Sequence, residues 1–326
     1  MLGAVFAQTR GPQSTLAKAA VIGAIAGMTP DLDVLIRSST DPLLAVSFHR
    51  HFTHSLFFIP IGAWLCSLLL YPLLGKRWQL SYRQVLVWCM IGFATHGLLD
   101  ACTAYGTQLL WPFSDQRFAW DIISIVDPLF TLPLLALVGW AAATRSRRYV
   151  IGALIWGAVY LTIGYVQHQR ATALGFQLAQ ARGHQVLRLE AKPSFANLIV
   201  WKVVYETDDK FYVLAVKPGL ITPRSWPGDS VQKLNVQRDF PWLDPTSQQA
   251  RDITRFHLAS AGYLALDPKH RDRIGDVRYS LLPQTIAPLW GITLSPQASS
   301  SDHVTFYTQR DNARAAVSRM VAMMFE

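Results

Sequence analysis

The first half of the sequence contains a series of long apolar runs. Residues 55–75 carry no charge, and comparable runs cover residues 84–101, 122–144 and 149–166. A helix needs about 20 apolar residues to cross the hydrocarbon core of a bilayer. The pattern therefore predicts four transmembrane helices, one in each run.

A shorter apolar run, from Leu16 to Met28, precedes these four and ends at Thr29-Pro30. Its length, about 13 residues, is marginal for a membrane span, and proline discourages further helix. The run predicts a short N-terminal helix that is re-entrant or interfacial. A cleaved signal peptide is the alternative, which we disfavour because Asp31-Leu32-Asp33 follows where a cleavage region would lie.

From about Gly183 the pattern changes to short alternating runs. Residues 197–206 and 210–216 are separated by a polar turn, which predicts a β-hairpin. Further strands are expected at 277–282, 289–294 and 303–308, and further helices near 246–260 and 311–325. We predict an α-helical membrane domain over residues 1–170 and a small α+β domain over residues 171–326.

Composition and charge agree with a membrane domain joined to a more polar one. The chain is 51% hydrophobic and 16% charged, with a formal net charge of +9. Basic residues cluster at Lys76-Arg77, Arg83 and Arg145–Arg148, in short loops between the predicted spans, which is typical of cytoplasmic loops. We therefore expect a multi-pass membrane protein with an extracytoplasmic C-terminal domain. The remaining charge forms no basic block or aromatic-interleaved stripe, so nucleic-acid binding is not expected.

Histidine and aspartate recur near the predicted outer ends of the spans, at Asp31, Asp33, His49, His51, His54, His96, Asp100, Asp121 and Asp127. Ionisable groups beside hydrocarbon are costly unless they bind a metal, pair with each other or line a wet cavity. Because four segments bring the same ligand types to one membrane surface, we predict a metal site there. All three cysteines lie in or beside apolar runs and indicate neither a disulfide framework nor a thiolate site.

The spacing of these residues distinguishes the candidates. His96 and Asp100 are four apart, so a helix places both on one face, as two ligands of one ion or as a hydrogen-bonded pair at a helix interface. His49 and His54 precede a span, and we rank His51 below them. The predicted metal ligands are Asp31, Asp33, His49, His54, His96, Asp100 and Asp127. Asp121 is a further ligand or a partner that orients a histidine.

Imidazole and carboxylate ligands without thiolate favour zinc, with manganese or iron as alternatives, and the number of candidates allows one or two ions. We expect the site to lower the pKa of water so that it attacks an ester or phosphoester, with Asp33 or Asp127 as general base. The membrane-surface position favours a lipid-like substrate, although a small molecule is also consistent. Arg50 or Arg117 could bind an anionic group of that substrate.

A non-enzymatic membrane protein is the competing interpretation. The same residues would then form a structural metal site, a network that pairs polar helices, or an ion pathway. An ion pathway predicts polar residues through the depth of the membrane, whereas these crowd one side. That distribution favours an enzyme or a structural site over transport.

Several motifs resemble the YdjM-like family of inner-membrane proteins, which are regarded as metal-dependent hydrolases and include a LexA-regulated member. They are Gly27–Asp33, His49-Arg50 with Thr53-His54-Ser55, His96–Asp100 through Thr107, and Trp111–Ser114. The resemblance covers residues 1 to about 170, and the later domain more weakly. It implies an inner-membrane hydrolase whose divalent metal is held by the seven ligands named above. Family members commonly open with an Asp…Thr-His stretch that is missing before Leu2 here, so we expect either one ligand fewer or a natural start upstream of Met1.

Overall fold

The computed structural model describes residues 1–219 and 222–326, and the chain divides into two compact units. The first unit comprises residues 1–36 and 48–165, and the second comprises residues 37–47 and 166–326. The boundary after Tyr165 lies inside a long helix, a few residues before the division expected at residue 170. Segment 37–47, which we placed in the membrane domain, is part of the second unit.

The first unit is helical, as the apolar runs predicted. The α-helices up to the unit boundary are α1 (Leu2–Thr9), α2 (Leu16–Ala26), α3 (Leu44–Phe48), α4 (Ile59–Leu70), α5 (Tyr82–Ala101), α6 (Pro128–Thr144) and α7 (Arg147–Ala181). Three 3₁₀ segments, Gln13–Thr15, Thr29–Leu35 and Phe52–His54, and a π-helical turn, Tyr71–Gly75, lie between them in the described part of the chain. The N-terminal run predicted as one short helix is α2, and α1 precedes it as a helix that we did not predict.

Two helices among the described residues are long and apolar enough to cross a membrane, namely α5 and α7. A third span is added if Leu44–His54 and Ile59–Gly75, which meet at an angle of 88°, count as one. Helix α6 is apolar but has only 17 residues. Helices thus occupy all four predicted apolar runs, and two or three spans meet the length and composition of a membrane crossing.

Glycines let α1, α2 and α5 approach closely. A Cβ atom built on Gly92 of α5 would lie 2.5 Å from the carbonyl oxygen of Gly23 in α2, and one built on Gly3 of α1 would lie 2.5 Å from the same oxygen. Small residues permit close backbone contact between membrane helices. This packing brings the end of α2, at Gly27, against the middle of α5.

The second unit contains two four-stranded antiparallel sheets, in the orders β1-β2-β3-β4 and β5-β6-β7-β8. The strands are β1 (Arg188–Pro193), β2 (Trp201–Glu206), β3 (Lys210–Lys217), β4 (Arg224–Gln232), β5 (Leu264–Asp267), β6 (His270–Asp276), β7 (Trp290–Thr293) and β8 (Thr305–Thr308). Besides most of α3 and the end of α7, the described helices of this unit are α8 (Val236–Asp239), α9 (Gln248–Ala259) and α10 (Ala313–Phe325). The sheet-rich domain expected after the helical region is therefore confirmed.

Two strand predictions in this unit have opposite outcomes. The predicted hairpin is confirmed, because β2 and β3 pair antiparallel with Trp201 opposite Val216. The strand expected at 277–282 is wrong, since β6 ends at Asp276. The chain turns there, and the guanidinium of Arg278 reaches back to the Asp276 carboxylate at 2.7 Å.

Segment 37–47 is anchored in the second unit by one apolar side chain and one ion pair. Leu43 is buried in a core that includes Phe256 and Ile274. Both terminal nitrogens of Arg255 donate to the carboxylate oxygens of Asp41 at 2.9 Å. A guanidinium and a carboxylate joined by two parallel hydrogen bonds form a directional pair, so this pair fixes the position of segment 37–47 within the second unit.

Candidate metal centre

Three segments of the helical unit carry the side chains of the candidate site. The 3₁₀ segment Thr29–Leu35 presents Asp31, the 3₁₀ segment Phe52–His54 presents His54, and α5 presents His96 and Asp100. Proline at the start of the first segment ends α2 and leaves the backbone to turn. The i and i+4 spacing on α5 places its two side chains on one face, as predicted from sequence.

One ligand atom from each of these four residues converges on a common point. His54 Nε2 lies 3.0 Å from His96 Nε2, 3.4 Å from Asp31 Oδ1 and 3.2 Å from Asp100 Oδ2. His96 Nε2 lies 3.3 Å from Asp31 Oδ1 and 3.5 Å from Asp100 Oδ2. These five spacings are close to the separation of about 3.3 Å that zinc bonds of about 2.0–2.1 Å give in a tetrahedral shell, and all four atoms lie within 4.8 Å of one another.

The hydrogen bonds of the two imidazoles also favour a cation between them. His96 Nδ1 lies 2.6 Å from the carbonyl oxygen of Gly27, which can only accept, so Nδ1 carries a proton. His54 Nδ1 faces the Thr53 hydroxyl at 2.9 Å, and that hydroxyl donates to Asp33. The two Nε2 atoms then face each other across 3.0 Å, a spacing that a cation bound by both rings would bridge.

Asp33 lies behind His54 and contacts its second ring nitrogen. Its side chain is fully buried and accepts from the backbone N–H of Arg50 at 2.9 Å and from Thr53 at 3.1 Å. It also lies 2.9 Å from His49 Nδ1 and 3.3 Å from His54 Nδ1. Burial by itself raises the pKa of Asp33, but the hydrogen bonds from His49 and Arg50 outweigh it and hold that pKa below its usual value. The carboxylate therefore stays charged beside the ligand histidine.

Asp31 is the most solvent-exposed member of this group. Its side chain is 51% exposed, whereas those of His54, His96 and Asp100 are 0%, 12% and 13% exposed. Burial raises the pKa of Asp31, yet its contacts with His54 and His96 have the larger combined effect and lower it well below the usual value. The group thus has one accessible, charged edge.

Arg50 neutralises part of the acidic charge. This residue is 6% exposed, and its Nε lies 3.1 Å from Asp100 Oδ2 while its Nη1 donates to Thr103 Oγ1 at 2.7 Å. Arg117 donates to the carbonyl oxygens of His49 and Gly106. Both arginines that we considered as anion-binding groups are thus held by protein atoms. The sequence analysis did not predict that Arg50 pairs with Asp100. The position of Arg50 next to the candidate ligand His49 was the one sign that it lies near the site.

The structure does not bring every candidate ligand into this group. His49 contacts Asp33 rather than the four convergent atoms. Asp127 caps the N-terminus of α6 by accepting from Phe130 N at 3.1 Å, and it accepts from the Tyr160 hydroxyl at 2.8 Å. Asp121 has a positive φ of 54° and is buried. We predicted Asp33 as a metal ligand and as a general base. In the structure its carboxylate contacts Nδ1 of His54, the ring nitrogen that faces away from the convergent group.

Comparison with known proteins identifies the family. The YdjM inner membrane protein family matches residues 1–171, more than half of the 326-residue chain. The chain belongs to this family. The YdjM-family chain is 36% identical over 111 residues to the inner membrane protein YbcI of Escherichia coli strain K12, which covers 32% of this chain and 60% of YbcI. It is 28% identical over 134 residues to the uncharacterized protein YfhP of Bacillus subtilis strain 168, over 40% of each chain.

The chain spans 40% and 60% of the lengths of these two relatives. No solved structure matches the YdjM-family chain. All four convergent ligands lie within the residues that match the family. The resemblance inferred from the motifs is therefore confirmed for the part of the chain that carries the candidate metal centre.

Proposed function

We propose that this YdjM-family protein is a membrane-bound, metal-dependent hydrolase of an ester or phosphoester. The observation that carries the proposal is the convergence of His54 Nε2, His96 Nε2, Asp31 Oδ1 and Asp100 Oδ2, with five spacings of 3.0–3.5 Å between them. Nitrogen and carboxylate donors in such a shell suit zinc, with manganese or iron as alternatives.

The chain's own residues divide the work at this site. His54, His96 and Asp100 would hold a single divalent ion from the buried side. A bound ion of this kind supplies Lewis-acid activation of water. Asp31, at the exposed edge, would release one carboxylate oxygen to accept a proton from that water, while Asp33 keeps the His54 ring oriented.

The surroundings of Asp31 favour a lipid-like substrate. Met28, Leu32 and Leu35, which are close to Asp31 in the sequence, are 65%, 59% and 75% exposed. An acyl chain could lie on them while its ester or phosphoester reaches Asp31. We propose an inner-membrane location with four spans, and the positive loops at Lys76-Arg77 and Arg145–Arg148 support an extracytoplasmic site and C-terminal domain.

Metal analysis of the detergent-purified full chain tests this proposal. Wild type is expected to contain near-stoichiometric zinc, manganese or iron, and His96→Ala and Asp100→Ala are expected to lose it. Asp115→Asn, which changes an exposed carboxylate outside the group, is the matched control. Samples that bind none of the three metals after reconstitution would overturn the proposal. Hydrolysis of phosphoester and lipid-ester substrates in mixed micelles is then measured on the metal-bound samples.

A structural metal site is the second candidate, because a group of four protein donors that leaves no open position is typical of structural zinc. Asp31→Asn separates the two functions. A hydrolase that uses the exposed carboxylate should keep most of its metal and lose turnover. A purely structural site should instead lose metal affinity and thermal stability together, and should show no hydrolysis of the same substrates in the wild type.

A further inference from the structure

A buried lysine in the second unit contacts a serine hydroxyl. Lys202, in the middle strand β2, is 4% exposed, and its Nζ lies 2.6 Å from Ser280 Oγ and 3.0 Å from the carbonyl oxygen of Thr285. Ser280 is partly exposed and lies in the turn-rich stretch that follows β6. A buried amine, held at hydrogen-bond distance from an accessible hydroxyl, is the arrangement of a base and a nucleophile.

The charges around Lys202 leave it without a carboxylate partner among the described residues. Lys192, opposite it on β1, is paired with Glu190 at 2.9 Å, and Asp276 on β6 is paired with Arg278 at 2.7 Å. The Asp276 and Asp229 carboxylates act on Lys202 only at longer range. Burial therefore dominates and lowers the pKa of Lys202 to about 7, so a large fraction of the amine is neutral at physiological pH.

The hydrogen bonds of Lys202 hold its amine beside the Ser280 hydroxyl. The Thr285 carbonyl oxygen can only accept, so one N–H of Lys202 points to it and fixes the direction of the amine. In the structure a second N–H of Lys202 donates to Ser280 Oγ, and rotation about the Cε–Nζ bond replaces that N–H with the lone pair of the neutral amine while the bond to Thr285 is kept. In its present orientation the Ser280 hydroxyl donates to the carbonyl oxygen of Leu282 at 2.7 Å, and rotation about the Cβ–Oγ bond redirects that proton to Lys202.

We propose that Ser280 is the nucleophile and Lys202 the base of a second reaction centre, which transfers the acyl group of a carboxylic ester to water. This centre lies wholly in the second unit and is independent of the proposed metal-dependent function. Two contacts support it, that of Ser280 with Lys202 and that of Lys202 with the carbonyl oxygen of Thr285, together with the partial exposure of Ser280.

The chemistry balances with water as the only co-reactant. Lys202 takes the proton of Ser280 as Oγ bonds to the ester carbonyl carbon, and the bond from that carbon to the alcohol oxygen breaks. The alcohol leaves with the proton from Lys202. Water then gives a proton to Lys202 and attacks the acyl-serine, the carbon–Oγ bond breaks, and Ser280 recovers its proton as the carboxylic acid departs.

A fluorophosphonate probe tests the centre directly, because an activated serine displaces fluoride and retains the phosphonyl group. The full chain in detergent is incubated with the probe, and the adduct is located by peptide mass spectrometry. The expected result is a single adduct on Ser280 that persists when EDTA is present. Ser280→Ala should abolish it, and Lys202→Met should slow labelling about 100-fold or more, the usual contribution of a general base.

Two controls keep the result decisive. Ser301→Ala, which removes an exposed hydroxyl elsewhere in the unit, should label like wild type. The wild-type labelling rate should rise with pH through about 7 as Lys202 loses its proton, with Lys192, Asp229 and Asp276 as the charged groups around it. Absence of a Ser280 adduct on folded wild type from pH 6 to 9, or unchanged labelling of Lys202→Met, would overturn the proposal. Loss of metal binding at the first site would not affect this proposal.

Discussion

At the scale of single residues, the aspartate side chains of the helical unit have different roles because their neighbours differ. Asp100 and Asp31 converge with two histidines, Asp33 lies behind His54, and Asp127 caps a helix. Their identities were evident from the sequence. Their division of labour was not, because it depends on which neighbours each carboxylate meets in space.

The orienting contact of Asp33 gives a first prediction. Asp33→Asn removes the charge beside His54 Nδ1 while keeping the shape of the side chain. We expect metal affinity to fall about 10–100-fold, the usual effect of losing a partner that orients a ligand histidine. Competition against a metal-buffering chelator measures the change. Asp115→Asn should bind metal like wild type, and equal affinities for Asp33→Asn and wild type would contradict the prediction.

The pKa of Lys202 predicts a pH dependence of stability. Its value is about 7 in the folded protein against an ordinary 10.5, so between these values the unfolded chain holds a proton that the folded chain has released. The free energy of unfolding should therefore rise with pH across this window, by at most about 1.4 kcal/mol per pH unit. Hydrogen-exchange protection of β2 and β3 at pH 7 and pH 9 measures it. Lys202→Met should lack this contribution, so the same pH slope in both proteins would contradict it.

At the scale of elements, the packing of α2 against α5 places the backbone that holds His96. Gly92 allows the two helices to touch, and the Gly27 carbonyl at the end of α2 then meets His96 Nδ1. The sequence predicted both helices from their apolar runs. Their close contact involves residues about 70 positions apart, so no local pattern could reveal it.

This contact can be tested by adding one methyl group. A Cβ on Gly92 would lie 2.5 Å from Gly23 O, so Gly92→Ala should push α2 away. We expect a loss of about 1–3 kcal/mol in stability and weaker metal binding, because overpacking displaces backbone. Gly139→Ala is the matched control, since a Cβ there has no atom within 4 Å. The thermal midpoint and the metal content are measured for both variants, and both quantities should be lower for Gly92→Ala than for Gly139→Ala. A Gly92→Ala protein as stable as Gly139→Ala would refute the prediction.

At the scale of the whole molecule, the chain leaves the helical unit after Ile36 and re-enters it at Phe48. The intervening segment is anchored in the second unit by Leu43 and by the ion pair of Asp41 with Arg255. The candidate ligands Asp31 and His54 lie on either side of this excursion in sequence. The two segments are thus joined by a stretch of chain that belongs to the second unit.

The ion pair that anchors this segment gives a prediction at the same scale. Asp41→Asn removes the charge that holds both nitrogens of Arg255, and segment 37–47 should become more susceptible to limited proteolysis. The cost to stability should be modest, about 1 kcal/mol or less, because the two side chains are 23% and 30% exposed. Arg319→Met, which removes an ion pair with Glu326 near the C-terminus, is the control. If the segment is cleaved at the same rate in Asp41→Asn and in wild type, the ion pair does not anchor the segment.

The sequence by itself determined the class of each region, the family and the kinds of atom available for a metal. Apolar length, two-residue alternation and short motifs are local properties, so the helical region, the β2–β3 hairpin and the YdjM resemblance could be predicted. The tertiary structure decided that His54, His96, Asp31 and Asp100 meet while His49, Asp33 and Asp127 do not join them. It also placed Lys202 beside Ser280. Both outcomes depend on contacts between residues far apart in the chain, and those contacts arise only when the helices and sheets pack.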